Sequence, residues 1–146
     1  MPISTETPLA VLARHHDMAL QTRKRDGNWI TTPVNPLVED EHVYFRTWDS
    51  SGKAKRLRNF PDVRFAPSTA RGRPIGEWMR GHATLLEGDD AAHAASLIND
   101  RYPLLQGIAV RLFHRLRGLR TQHYRISDVT AAPVPVGLDS DRPHVS

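Results

Sequence analysis

The feature that most constrains this chain is the dipeptide Asp26-Gly27, set between two runs rich in strand-forming residues. Asp-Gly supplies the positive φ that a tight hairpin turn requires, so it predicts two antiparallel strands folded back on each other. The first runs from Met18 to Arg25, and the second leaves the turn through Trp29, Ile30, Thr31 and Thr32. Pro33 and Pro36 follow. Proline gives no N–H to a ladder, so the second strand is bulged there or lies at a sheet edge. A polar turn, Glu39-Asp40-Glu41, precedes a third strand from His42 to Trp48. Val63 to Pro67, Glu77 to Leu86 and Thr121 to Val129 read as the remaining three strands, with a loop from Thr69 to Gly76 between the first two of them.

Four helices fit between these strands. Pro8 to Arg14 is capped by Ser4 or Thr5. Lys53 to Asn59 is opened by Ser50-Ser51-Gly52 and ended by Pro61. An Ala-rich helix starts at Asp89 or Asp90 and stops at Pro103, and Leu105, Ile108, Leu112 and Leu116 place a fourth ahead of Gly118. Six short strands with helices between them predict a mainly β (α+β) fold, a six-stranded antiparallel barrel with flanking helices. The 146 residues hold one domain, expected over residues 1–132, with a Pro-rich flexible tail over residues 133–146.

The chain has no cysteine, which excludes disulfides, Cys-ligated zinc, iron–sulfur clusters and thiol nucleophiles. No apolar run approaches the roughly 18 residues of a membrane span. Met1 to Thr7 lacks the basic start and apolar stretch of a signal peptide, so a cytoplasmic protein is expected. Gly52-Lys53-Ala54 looks like the end of a phosphate-binding loop, but Thr47 stands five residues before Gly52 and Ala54 follows the lysine, so the Walker pattern fails. No G-x-S-x-G, H-E-x-x-H or dinucleotide-binding glycine motif is present. The eight histidines show no metal-ligand spacing, and no pair of acids has the placement of a general acid and base. No catalytic side chain and no metal site is assigned. An enzyme of this composition needs a cofactor to carry its chemistry.

Charge is unevenly spread. From Arg46 to Arg73 eight bases face only Asp49 and Asp62, and from Arg101 to Arg125 six arginines face no acid at all, although the whole chain is only +4. Such blocks predict an anionic partner. The helix after Ser50 is also electrostatically reversed. Its positive end normally attracts Asp or Glu, yet Lys53, Lys55 and Arg56 stand in or near the first turn. Amides, a serine hydroxyl and cations converging on one spot fit a bound phosphate. The plain alternative is that Asp49 caps the helix and the lysines point to water.

These residues carry a resemblance. Thr22-Arg23-Lys24-Arg25-Asp26-Gly27, Thr32-Pro33-Val34, Val43-Tyr44-Phe45-Arg46-Thr47 and Ser51-Gly52-Lys53-Ala54-Lys55-Arg56-Leu57-Arg58 follow one another in this order, and Val63-Arg64-Phe65-Ala66-Pro67, Ala70-Arg71-Gly72-Arg73-Pro74 and Gly81-His82-Ala83 continue it. The pattern resembles the pyridoxamine 5'-phosphate oxidase-like (PPOX class) split β-barrel family, and within it the actinobacterial branch of F420-dependent oxidoreductases. The resemblance implies a homodimer with cofactor sites at its interface. It implies that the strand holding Thr31, Thr32, Pro33 and Val34 lies with its backbone against the tricyclic ring, and that Thr47, Ser51, Gly52 and Lys53 hold the phosphate. Asn35-Pro36 departs from the pattern, where many relatives carry an aromatic residue.

Both FMN and the deazaflavin F420 bind such a fold. F420 adds an oligoglutamate tail, and the surplus bases Arg58, Arg64, Arg71 and Arg73 exceed what one phosphate needs, which favours coenzyme F420 over FMN. The expected activity is hydride transfer between F420 and a small organic acceptor. Trp48 and Trp78 are expected either to wall the ring or to pack in the core. Two rivals are a nucleic-acid-binding module on the Arg111, Arg115, Arg117, Arg120 face, which lacks a recognition motif, and a non-catalytic F420- or haem-binding split barrel using His114 or His123 as a haem ligand.

Overall fold

A computed structural model describes residues 7–48, 51–103 and 121–132. Its strands are β1 (Met18–Arg23), β2 (Trp29–Val34), β3 (Leu37–Glu39), β4 (His42–Trp48), β5 (Asp62–Pro67), β6 (Met79–Leu85) and β7 (Thr121–Ala131). They form one sheet in the order β2-β1-β5-β6-β7-β4-β3, antiparallel throughout. The helices are α1 (Pro8–Ala13), α2 (Gly52–Asn59) and α3 (Gly88–Arg101). Sequence reasoning counted six strands and the sheet has seven. The addition is β3, three residues that resume the chain's course after the break at Asn35-Pro36 and pair with β4. Pro33 does not interrupt β2. It pairs opposite Ala19 on the outermost strand, where a missing N–H leaves no ladder bond unmade.

Packing curls the sheet. β1 and β4 stand four places apart, about 19 Å in a flat sheet, yet α2 packs on both. Alternating residues supply the enclosed core: Met18, Leu20, Val34, Val43, Phe45, Val63, Phe65, Met79, Tyr124 and Ile126, with Leu57 of α2 closing it. The Phe45 and Tyr124 rings stack at 5.2 Å. On the opposite face α3 lays Ala94 and Ile98 against Leu37, Tyr44, Leu86 and Tyr102, and the Tyr102 hydroxyl donates to the Pro36 carbonyl at 2.6 Å. Trp78 is buried and packs on Ala19 and Ala66 in a small cluster of its own.

Local chemistry sets the turns. Gly27 takes φ 91° in a five-residue hairpin loop, closed by Gly27 N–H donating to the Lys24 carbonyl at 3.0 Å, so β1 ends at Arg23 and not at Arg25. Asp40 and Glu41 form a two-residue turn between β3 and β4, both with positive φ (51° and 63°). Gly81 sits where the β6–β7 register shifts, and a Cβ there would collide with Ile126 Cγ2 and come within 2.9 Å of the Ser127 carbonyl. α1 is capped by Thr7, whose hydroxyl accepts from Ala10 N–H at 3.1 Å, and not by Ser4 or Thr5. β6 starts at Met79 instead of Glu77, and β7 runs on to Ala131 instead of Val129. The helix expected ahead of Gly118 and the tail over residues 133–146 lie outside the described residues. No helix among the described residues is long and apolar enough to cross a membrane.

Candidate functional site

The site forms where β4 hands the chain to α2. Ser51 caps α2, its Oγ accepting from Ala54 N–H at 3.0 Å, and the same oxygen lies 3.0 Å from Thr47 Oγ1 at the end of β4. The N–H groups of the first helical turn, those of Gly52 and Lys53 among them, have no acceptor within the helix. Lys53 leans over the sheet edge, and its Nζ donates to Thr32 Oγ1 of β2 at 3.1 Å. Arg56, one turn on, donates from Nε to Thr22 Oγ1 of β1 at 2.6 Å. Two cations and four hydroxyls are thereby gathered at the positive end of one helix.

Burial, and secondarily the charge of Arg56, holds the Lys53 ammonium below the ordinary lysine range, and burial also lowers Arg56. Among the described residues no carboxylate pairs with either. The hydroxyl-and-cation arrangement therefore has donors to spare and, among the described residues, positive charge without a counterion, a chemistry that suits a phosphate. Thr47, Ser51, Gly52 and Lys53, expected at the phosphate, lie together at the start of α2, and Thr32, expected against the ring, meets the Lys53 ammonium. Lys55 does not join them and is exposed. Thr31 and Thr32 face opposite sides of the sheet: the Thr31 hydroxyl accepts from Gln21 Nε2 at 3.1 Å, away from Lys53. Pro33 is exposed on the same side as Thr31, and Val34 packs into the core. β2 is the outermost strand of the sheet among the described residues, so its outward main-chain groups are not used by the sheet.

Arg56 and Thr22 were not singled out in the sequence as a pair. The one legible signal was Thr22, a polar residue at an inward-facing position, and it is fully buried. The four surplus arginines do not act together. Arg58 is exposed and close enough for its charge to hold down the Tyr124 phenol, against the larger upward push of burial. Arg64 lies across the sheet, its guanidinium 4.6 Å from the centre of the Trp29 ring. Arg71 and Arg73 are exposed on the loop before β6, whose Gly72 comes so near Pro33 that a Cβ there would stand 3.4 Å from the proline Cδ. His123 pairs with Arg46 across β4 and β7, and burial, with Arg46 secondarily, keeps its ring toward the neutral form. His114 lies outside the described residues, and among those described no group of His, Asp and Glu is placed to hold a metal ion.

A curled antiparallel sheet spanned by one helix, with further helices outside it, defines a split-barrel class of fold. Neither a family model nor a curated protein sequence matches the chain. Solved structures do. A candidate 5-nitroimidazole antibiotic resistance protein from Bacteroides thetaiotaomicron superposes with TM-score 0.61 at 15% identity, covering 86% of this chain and 81% of that one. A candidate pyridoxamine 5'-phosphate oxidase from Listeria innocua gives 0.51 at 17% identity, covering 84% and 93%. An F420 reductase gives 0.54 at 16% identity, covering 88% and 97%. The chain has the pyridoxamine 5'-phosphate oxidase-like split-barrel fold.

Proposed function

We propose that this chain is an F420-dependent oxidoreductase that passes a hydride between the deazaflavin and a small organic acceptor. The observation that carries the reading is the cradle of Thr47, Ser51, Lys53 and Thr32, with buried positive charge and no carboxylate among the described residues to meet it. Lys53, Arg56 and the first amides of α2 would hold the phosphate, and the backbone of Thr31 to Val34 would lie along the ring. When bound, the deazaflavin supplies hydride chemistry at its ring carbon. The protein's own task is then orientation and exclusion of water.

F420 is favoured over FMN by Arg71 and Arg73, which flank the Pro33 edge and suit a chain of carboxylates. Exposed pairs of this kind are weak singly, about 0–1 kcal/mol each. A second copy of the chain is proposed as the outer wall of the ring site, because Thr31 and Pro33 stand exposed at the open edge of the sheet. Paired fluorescence titrations test the cofactor reading at low and high salt. F420 is expected to bind more tightly than FMN, with the difference shrinking as salt rises. Equal affinity at low salt removes F420 in favour of FMN. Light scattering is expected to give a dimer, and a cofactor-bound monomer at micromolar concentration removes the second wall.

A further inference from the structure

The sheet face opposite Thr22 and Thr32 carries a second cluster of bases, beside the C-terminal end of α2. A cleft of 510 Å³ opens there over β1, β5 and β6, lined by Arg23, Trp29, Phe60, Arg64, Arg80 and His82 among others. Arg64 and Arg80 are direct partners across the β5–β6 ladder. Like charges placed opposite each other in antiparallel strands destabilise a sheet. Neither arginine is in an ion pair among the described residues, and neither is Arg23. The two acids in the cleft do not relieve them: Asp62 Oδ1 lies 3.4 Å from His82 Nδ1, and Asp128 makes no ion pair among the described residues.

The arginines are held in a form suited to an oxyanion. Arg64 lies over Trp29 at 4.6 Å and Arg23 over Phe60 at 5.4 Å, each measured to the ring centre. A guanidinium resting on an aromatic face keeps its N–H donors in its own plane, pointing sideways and free to bond. Arg80 is aimed by Thr130, whose hydroxyl accepts from its Nε at 3.2 Å. Beside them Gln21, the cross-strand neighbour of Arg64, keeps a buried Oε1 with no hydrogen-bond partner, a second polar group unsatisfied on this face.

We infer that this cleft binds a phosphate-bearing small molecule, with Arg64 and Arg80 as the shared phosphate clamp and Arg23 as a third cation at its rim. The site is separate from the Lys53 cradle, because Arg23, Gln21 and Arg64 occupy the sheet face opposite Thr22 and Thr32. It stands whether or not the reading of that cradle does.

Calorimetry with pyrophosphate as the probe tests it on the full chain, in the parent, in Lys53→Met, in the double variant Arg64→Gln/Arg80→Gln and in the triple variant that combines them. Removing facing like charges is expected to leave the thermal midpoint unchanged or higher. Pyrophosphate affinity in the Lys53→Met background is expected to fall by at least about tenfold when both arginines are replaced, and Trp29 emission is expected to respond to the probe only while Arg64 is present. Succinate as a second probe separates sources: equal or tighter binding of the dicarboxylate overturns phosphate as the ligand. If Lys53→Met abolishes all binding, the cleft proposal fails and the cradle stands. If only the arginine variant matters, the cleft stands and the cradle fails. If the double variant changes the light-scattering mass and not the affinity, the cleft is a contact between copies of the chain, and the proposal fails.

Discussion

Lys53 reaches Thr32 across 21 residues of chain, its ammonium donating to the threonine hydroxyl at 3.1 Å. An ammonium has three donors, and this one commits a single donor to a neutral acceptor while its charge is half withdrawn from water. The bond fixes the direction of the lysine over the edge strand before any ligand arrives, so a ligand need not spend its own binding energy on ordering the side chain.

Replacing Lys53 by alanine is therefore expected to weaken cofactor binding and spare the fold. A charge-assisted phosphate contact contributes about 1.5–3 kcal/mol, roughly ten- to hundredfold in affinity. Alanine is the better helix former, and the change removes a cation that is partly buried and lacks a carboxylate among the described residues. Fluorescence titration is expected to show the loss while the thermal midpoint stays level or rises. Unchanged affinity removes Lys53 from the site.

Cofactor binding is expected to weaken as pH rises. Burial and Arg56 hold free Lys53 below the ordinary lysine range, and a phosphate beside it favours the ammonium, raising it again. Affinity is thus fullest below the pKa of the free state and declines as pH climbs from there toward the pKa of the complex, with proton uptake on binding in between. Titrations over an alkaline series check this, and Lys53→Arg, whose charge does not titrate, is expected to flatten the profile. A profile that stays sloped in that variant assigns the titration to another group.

Gly81→Ala is expected to destabilise the protein by about 1–3 kcal/mol, the usual cost of overpacking. Its Cβ would meet Ile126 Cγ2 and the Ser127 carbonyl at the register shift between β6 and β7. Urea unfolding reads the change, and a midpoint equal to that of the parent means the two strands separate there at no cost.

The turn at Asp40 and Glu41 offers a change in the opposite direction. Glu41 holds φ 63°, a conformation that costs an L-residue about 1–2 kcal/mol and costs glycine nothing. Glu41→Gly is expected to raise stability by about 1 kcal/mol, less the entropy that glycine adds to the unfolded chain. Thermal unfolding checks it, and a lowered midpoint means that the Glu41 side chain contributes more than its backbone loses.

What could be read from the sequence was what short-range chemistry decides. Asp26-Gly27 placed the first hairpin, and the missing acids after Ser50 marked the helix whose start gathers Lys53 and Arg56. What could not be read depends on register. Arg56 reaches Thr22 over 34 residues of chain, and the facing of Arg64 with Arg80 follows from how β5 and β6 align, which no local pattern encodes. β3 was missed because three residues carry too little periodicity to stand out, and its existence depends on β4 offering it an edge.

Pro33 has a further consequence for how the protein behaves in bulk. The sheet ends at β2 on one side and at the three-residue β3 on the other. Bare strand edges are templates on which other chains polymerise, and proline or short length is what blunts them. With Pro33 on one border, Pro36 just beyond it and only three residues on the other, neither border offers a run long enough to seed a growing fibre. The edge at which Thr31 and Pro33 stand exposed is thus a poor place for a foreign strand to dock, and sheets of this chain are expected not to join end to end as it is concentrated.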